Sequence, residues 1–105
     1  MAVKPNRKRY ILFEIISNKA FDINMAERAI LDSSLKFLGE FGTSEAKITF
    51  LPEFWGENKG VLSVNASYVP KVKLAFALIK KISGHDVILR SIKVFGTIRK
   101  IKSEH

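Results

Sequence analysis

Cysteine is absent from the 105 residues, so the chain has no disulfide, no thiolate nucleophile and no cysteine metal ligand. It also lacks any run approaching the roughly 20 apolar residues of a membrane span. No apolar segment follows the basic N-terminal residues, as it would in a secretion signal. These absences predict a soluble protein of the reducing cytoplasm that makes no contact with a membrane.

Residue types that carry catalysis are scarce. His85 lies in a predicted turn and His105 is the last residue, so neither has an obvious base or metal partner. There is no glycine-rich phosphate loop and no metal-ligand spacing. Glu14, an acid inside an apolar strand, is either a functional group or, as we favour, an exposed or salt-bridged residue on a sheet face. We predict no catalytic residue and no metal or cofactor bound by the chain.

Acidic residues are few in the last forty positions, where nine Lys and Arg face two Asp and Glu. Residues 1–65 carry nine cations and eight acids, so most of the net charge of +8 lies in the C-terminal part. A smaller cluster, Lys4, Arg7, Lys8 and Arg9, lies at the other end of the chain. Charge concentrated in this way suggests a polyanionic partner, although lysines on a helix are also common as a solvated face.

The apolar pattern predicts one domain over residues 1–105, with basic N- and C-terminal segments. Asn24 with Glu27 resembles a helix capping box, Gly42 a helix stop, and Pro52 marks an edge strand or bulge. The predicted strands cover residues 10–17, 46–55, 60–68 and 86–96, and the predicted helices cover 23–41 and 70–83. The order βαββαβ indicates an α/β ferredoxin-like sandwich, with a four-stranded antiparallel sheet and both helices on one face.

Such a fold leaves one sheet face open, and we expect a partner or a second copy to cover it. Tyr10, Leu12 and Ile16 are its predicted interface residues, since they are too apolar for a face left in water. Trp55 is either a partner anchor or, as we favour, part of the core. The third strand lacks the stacking aromatics of RNA-recognition domains, so RNA contacts are expected to depend on phosphates and shape.

Several short motifs occur in a characteristic order and spacing, namely Arg9-Tyr10, Phe41-Gly42, Gly60-Val61, Tyr68-Val69, Val72 with Ala75 and Leu78-Ile79, Gly84, and the segment GTIRK at residues 96–100. Together they resemble the archaeal ribonuclease P protein component 2 family, which is related to the eukaryotic Pop-five subunit. The resemblance covers nearly the whole chain. Ser63 and Phe95 depart from it, because the family usually has arginine and serine at those positions.

The resemblance implies a subunit of the ribonucleoprotein that removes the 5′ leader of precursor tRNA. In that family the RNA subunit cleaves, so the chain alone is expected to be inactive and Mg²⁺ to belong to the RNA. The implied partners are ribonuclease P RNA, precursor tRNA indirectly, component 3 and other protein subunits. A homodimer within a heterotetramer is compatible with the resemblance. The alternative function is a ferredoxin-like protein-interaction module with no RNA role.

The predicted RNA-binding residues combine the two basic clusters with the segment after the last strand. They are Arg7, Lys8, Arg9, Lys71, Lys73, Arg90, Gly96, Thr97, Arg99, Lys100 and Lys102. In the C-terminal segment, glycine permits close backbone approach, the hydroxyl donates, and the cations reach phosphates. Ile98 and Ile101 are expected to keep this segment docked, whereas the alternative is a frayed tail.

Overall fold

The fold is organised around β1, Lys8–Ile16, which pairs with a neighbouring strand on each side. The computed structural model describes residues 7–104, without the side chain of Glu104, so Lys4 and His105 lie outside the described residues. The other elements are α1 Ile23–Ala46, β2 Thr49–Phe50, β3 Lys59–Asn65, α2 Val69–Leu78, β4 Lys81–Ile82, β5 His85–Asp86, β6 Ile88–Phe95 and α3 Ile98–Glu104.

The main sheet is antiparallel, with the strand order β2-β3-β1-β6, and β4 and β5 form a separate two-stranded hairpin. With β6 as the fourth strand of the predicted set, this order and the intervening α1 and α2 are those of the ferredoxin-like arrangement. The predicted fold class is therefore confirmed. The predicted edge position of the second strand is also correct, since β2 pairs with β3 alone.

The main core lies between the sheet and the two long helices. Alternate side chains of β1, namely Ile11, Phe13 and Ile15, are buried in one cluster with residues of α1 and α2. The Phe13 ring, for example, lies 5.7 Å from the Phe76 ring of α2, measured between centroids. Because side chains alternate along a strand, the intervening residues of β1 face the opposite side of the sheet.

The first helix begins and ends at other signals than those we predicted. The N-cap is Asp22, whose Oδ1 accepts a hydrogen bond of 2.9 Å from the Met25 backbone N–H, so the capping box at Asn24 was wrong. Gly42 does not stop the helix either. The kink lies at Gly39, where φ is +76°, a conformation that glycine adopts without a Cβ clash, and the helical path continues to Ala46.

The second helix is shorter than predicted because a hairpin follows it. Ile79 is extended, and the chain then turns through Ser83 and Gly84, both at positive φ, as expected for a two-residue hairpin turn. Ile79 and Ile82 are nevertheless buried in the main core. The apolar periodicity therefore predicted these core residues correctly, but Ile79 and Ile82 lie after α2 and not within it.

The predicted strand over residues 46–55 is reduced to two residues. Pro52 begins a one-turn 3₁₀ helix, Pro52–Phe54, after β2. Proline has no N–H to donate to a ladder, so pairing ends before it. The side chains of Phe54 and Trp55 lie on different sides of the sheet. Phe54 packs on the outer side, whereas Trp55 packs with the main core, which is the position we favoured for Trp55.

The outer sheet face is partly covered by α3, which we did not predict, and the rest of the face is exposed at Ile16 and Ile88. Ile101 of α3 has no exposed surface and forms a second cluster with Val61 and Phe95, which we call the sheet-face cluster. Tyr10 and Leu12 pack at its margin. The C-terminal segment is thus docked through Ile101, as predicted, and adopts a helix that we did not predict.

A register shift in β6 makes this second cluster possible. Leu12 pairs with Lys93 and Phe13 with Ser91, which leaves Ile92 as an extra residue in β6. Beyond this bulge the alternation of side chains is reversed. Phe95 consequently lies opposite Tyr10 on the outer face instead of continuing the inward series of Leu89 and Ser91.

Gly60 provides a test of the packing at the hairpin. A Cβ added there would lie 2.7 Å from Trp55 Cε3 and 3.0 Å from Phe13 Cζ, so we expect Gly60→Ala to lower the free energy of unfolding by about 1–3 kcal/mol. The matched control is Gly56→Ala, whose Cβ would meet nothing within 4 Å. Urea unfolding followed by the fluorescence of the single tryptophan measures both. Equal stability of the two variants would contradict this account.

Candidate nucleic-acid interface

The register of the sheet brings the two basic ends of the chain together. Lys8 pairs with Asn65 at the end of β3, and Tyr10 pairs with Phe95 at the end of β6. The Ala66 backbone N–H also donates to the Arg7 carbonyl at 2.7 Å. We call this side of the sheet, where β1 begins and β3 and β6 end, the basic end. Arg7, Lys8 and Arg9 lie there with the segments that follow β3 and β6.

The second helix adds a cation to the basic end. A single 3₁₀ turn, Ala66–Tyr68, joins β3 to α2, so the first turn of α2 lies beside the start of β1. The Lys71 Nζ stands 5.1 Å from the centroid of the Tyr68 ring, a distance at which the ring attracts the ammonium group. Lys73 is exposed, but two residues along a helix turn it about 200° away from Lys71.

The third helix carries its cations from the basic end across the outer sheet face. Thr97 Oγ1 accepts a hydrogen bond of 3.4 Å from the Lys100 N–H, so the Thr97 side chain caps the helix, and its O–H can still donate to a phosphate. Arg99, Lys100 and Lys102 are exposed around the buried Ile101. The docked isoleucine thereby presents these cations to solvent.

Sequence analysis missed Lys47, which the fold places at the same end. Lys47 follows α1 directly in a left-handed conformation and is exposed, and the preceding Glu45 carbonyl accepts from Asn65 Nδ2 at 3.4 Å. The predicted topology could have placed Lys47 there, because the loop before the second strand of a ferredoxin-like fold returns to the end where the first strand begins.

Arg90 lies apart from the other predicted RNA-binding residues. Its Nε donates to Glu14 Oε1 at 2.6 Å, and the two residues are register partners on the outer face of the sheet. Five residues of strand separate it from Phe95, or roughly 15 Å. The Glu14 carboxylate, which is largely buried, offsets the Arg90 charge. The favoured interpretation of Glu14, as a salt-bridged residue on the outer face, agrees with this geometry.

The four predicted interface residues do not form one surface. Tyr10 and Leu12 pack at the margin of the sheet-face cluster, and Ile16 is exposed at the opposite end of β1. Trp55 belongs to the other side of the sheet, where its ring centroid lies 6.3 Å from that of Phe13. Beside Ile16, the outer face also exposes its register partner Ile88 of β6.

The helix layer exposes large apolar side chains that sequence analysis did not assign to an interface. Phe37 of α1 and Leu78 of α2 line an open groove of about 380 Å³ between the two helices, which we call the helix groove. Leu74 lies one helical turn before Leu78 and is also exposed. Lysines at the rim of the groove are Lys36, Lys80 and Lys81, with Asp32 beside them.

The chemistry available to the described residues is that of charge and contact. Within residues 7–104 no three His, Asp or Glu side chains are grouped so that they could hold a metal ion. His85 is exposed in β5 and has the Phe21 ring at 6.4 Å. Over the same residues, no helix has the length and apolar character to cross a bilayer. The cations of the basic end are suited to phosphate groups.

Comparison with known proteins places these features in a family. Residues 9–105 match the model of the Rpp14/Pop5 family. Ribonuclease P protein component 2 of Pyrococcus abyssi is 33% identical over 99 residues, which cover 94% of this chain and 84% of the relative. The Archaeoglobus fulgidus protein of the same name is 34% identical over 101 residues, covering 95% and 89%.

A solved structure supports the fold independently. A chain in the cryo-EM structure of yeast ribonuclease MRP superposes with a TM-score of 0.73, covering 98% of this chain and 94% of that chain. The sequence identity is 12%, so this likeness concerns the fold.

If the basic end binds structured RNA, neutralising Lys71 and neutralising Arg90 should change the salt dependence of the affinity differently. Lys71→Gln should reduce the slope of log K against log salt by about one unit, because one phosphate contact is lost. Arg90→Gln, the matched control, should leave the slope nearly unchanged, because Glu14 already pairs with this guanidinium. Fluorescence anisotropy across a salt series measures both slopes. Equal slopes for the two variants would rule out the basic end as the contact surface.

Proposed function

The chain belongs to the Rpp14/Pop5 family and is a ribonuclease P protein subunit of the component 2 type, and we propose that it binds the RNA of that particle through the basic end. The observation that carries the proposal is the sheet register, which collects cations from both ends of the chain at one end of the sheet. Neutralising phosphates releases counterions, and this supplies affinity for RNA with little dependence on its sequence.

Its role in the removal of the 5′ leader from precursor tRNA is to support the fold of the catalytic RNA. Fixed cations along closely spaced phosphates substitute for screening ions, so the folded RNA needs less Mg²⁺. The RNA, in this proposal, holds the Mg²⁺ ions and performs the cleavage. In this proposal no described residue contributes an acid, a base or a metal ligand, and the chain acts in the cytoplasm.

Component 3 is the protein partner that we assign to the helix groove. Phe37 and Leu78 give the groove an apolar lining, and Leu74 is exposed one helical turn before Leu78, which is the character expected at the centre of a protein interface. The lysines at its rim favour a partner surface with acidic residues. With component 3 on the helix side, the basic end stays available for RNA.

Reconstitution of the particle tests the proposed function. The purified chain alone should cleave no precursor tRNA, since phosphodiester hydrolysis needs metal ions or an acid–base pair. Added with component 3 to the cognate RNA, it should raise the cleavage rate or lower the Mg²⁺ concentration required. Leader removal by the chain alone, or an identical rate and Mg²⁺ dependence without it, would contradict the proposal.

Two exposed apolar residues on opposite sides of the molecule test where component 3 docks. Leu78→Asp, in the helix groove, should abolish the complex, because burying an unpaired carboxylate at an interface is costly. Ile88→Asp, on the outer sheet face, is the matched control, and it should leave the complex intact. Size-exclusion chromatography with light scattering measures both, and unchanged thermal unfolding verifies the fold of each variant.

The same measurement separates the alternatives. If Ile88→Asp alone no longer binds component 3, the docking surface lies on the sheet side, as we predicted from the sequence. If Ile88→Asp still binds component 3 but no longer binds a second copy of the chain, the sheet side is the interface of a homodimer.

A further inference from the structure

The third helix covers two aromatic side chains that the sheet holds next to each other. Tyr10 and Phe95 are register partners on β1 and β6, and both face the outer side of the sheet. Ile101 of α3 closes over Phe95 in the sheet-face cluster, with Tyr10 packed at its margin. The surface under α3 is therefore partly aromatic. It is buried by the wholly buried Ile101, and Leu51 and Phe54 pack against the same cluster from the side of β2.

This cover is short and weakly anchored. The helix has seven residues, fewer than an isolated helix needs to be stable in water. Ile101 is buried and Ile98 half-buried, whereas its other described side chains, Arg99, Lys100, Lys102 and Ser103, are exposed. Most of what holds α3 in place is thus the docking of two isoleucines, so a competing ligand has little to displace.

The junction between β6 and α3 is a glycine, Gly96, that lies in open space. A Cβ added to Gly96 would meet no described atom within 4 Å, and Gly96 does not have the positive φ that favours glycine. The packing around it therefore does not demand glycine. Glycine instead gives this position the backbone freedom of a hinge.

We propose that α3 is a displaceable cover and that the surface beneath it, formed by Tyr10 and Phe95, stacks the bases of unpaired RNA. The inference rests on the proposed function, and it adds a second mode of contact to the phosphate contacts of the basic end. Stacking on aromatic rings is the usual means of holding unpaired bases, because every base has a flat apolar face. The aromatics come from β1 and β6, so a search for stacking residues on the third strand could not find them.

Charge around the aromatic pair selects RNA over a protein occupant. Lys93 Nζ lies 5.1 Å from the centroid of the Phe95 ring. The cations of α3 stay attached to the chain when the helix moves, so they remain beside the uncovered rings. A surface that combines aromatic faces with tethered cations matches the combination of bases and phosphates in a single strand.

The test measures binding of a fluorescein-labelled oligouridylate of about eight nucleotides, a length typical of single-strand sites. Ile101→Ser should loosen α3 without changing any charge, and tighten binding by about threefold or more, since the competent state becomes more populated. Tyr10→Leu in the Ile101→Ser background should then weaken binding by about fivefold or more, as expected for the loss of one stacked base. Ile101→Val is the control that keeps α3 docked, and it should bind like the original chain.

Two results would overturn the proposal. One is unchanged or weaker oligouridylate binding by folded Ile101→Ser, and stronger association of component 3 with the same variant would then make the occupant a protein. The other is tighter binding that Tyr10→Leu does not reverse, since the gain would then come from the freed cations alone.

A second measurement in the original chain covers the case in which Ile101→Ser fails to fold. An oligouridylate containing 4-thiouridine should crosslink to Tyr10 or Phe95 under ultraviolet light, whereas crosslinks confined to other residues would reject the site. Binding of ribonuclease P RNA by the same samples measures the contribution of the basic end separately. Failure of the stacking proposal can therefore be distinguished from failure of the proposed function.

Discussion

The central position of β1 is the constraint on which the other features depend. A strand paired on both sides has its backbone groups satisfied, and its side chains alone decide what each sheet face becomes. In β1 the series Ile11, Phe13 and Ile15 fixes one face as the main core and directs α1 and α2 to it. The complementary series, with Tyr10 and Leu12, leaves the opposite face apolar enough for α3 to dock.

The same strand explains why the positive charge becomes concentrated. Like charges repel, so gathering them at one end of a small protein opposes folding and must be offset by burial elsewhere. Residues 7–9 adjoin the segments after β3 and β6 only because β1 runs antiparallel to both of its neighbours. Further along the sheet, Arg90 pairs with Glu14. The cations of residues 7–9 and of α3 are therefore gathered where β1 begins.

The element order and most of the core followed from the sequence, because long apolar periodicities such as Ile11 to Ile15 depend on local side-chain alternation. The misplaced features depend on tertiary packing or on single backbone angles. Positions 39 and 42 are both glycine, so the sequence alone does not show at which of them α1 kinks. Strict alternation would place Phe95 on the inner face with Leu89, since the extra residue at Ile92 leaves no mark in the sequence.

The sequence predicted most residues of the candidate site, but not which of them lie together in the fold. The chain ends were recognisably basic, yet Arg90 joined Glu14 instead of the cluster, and Lys47 entered it through the topology alone. Docking of the C-terminal segment could be anticipated from Ile98 and Ile101, whereas its helical conformation was not predicted. Its partner surface could not be anticipated, because Val61 and Phe95 meet only after the sheet has formed.

The bulge at Ile92 also bears on self-association. As an outer strand of the sheet, β6 has no strand neighbour on one side, and a straight edge of this kind can recruit strands from other molecules into fibrils. An extra residue in mid-strand twists that edge, and the adjoining Lys93 would place a charge in the path of an incoming strand. The irregularity that turns Phe95 outward therefore also makes the exposed margin of the sheet a poor template for aggregation.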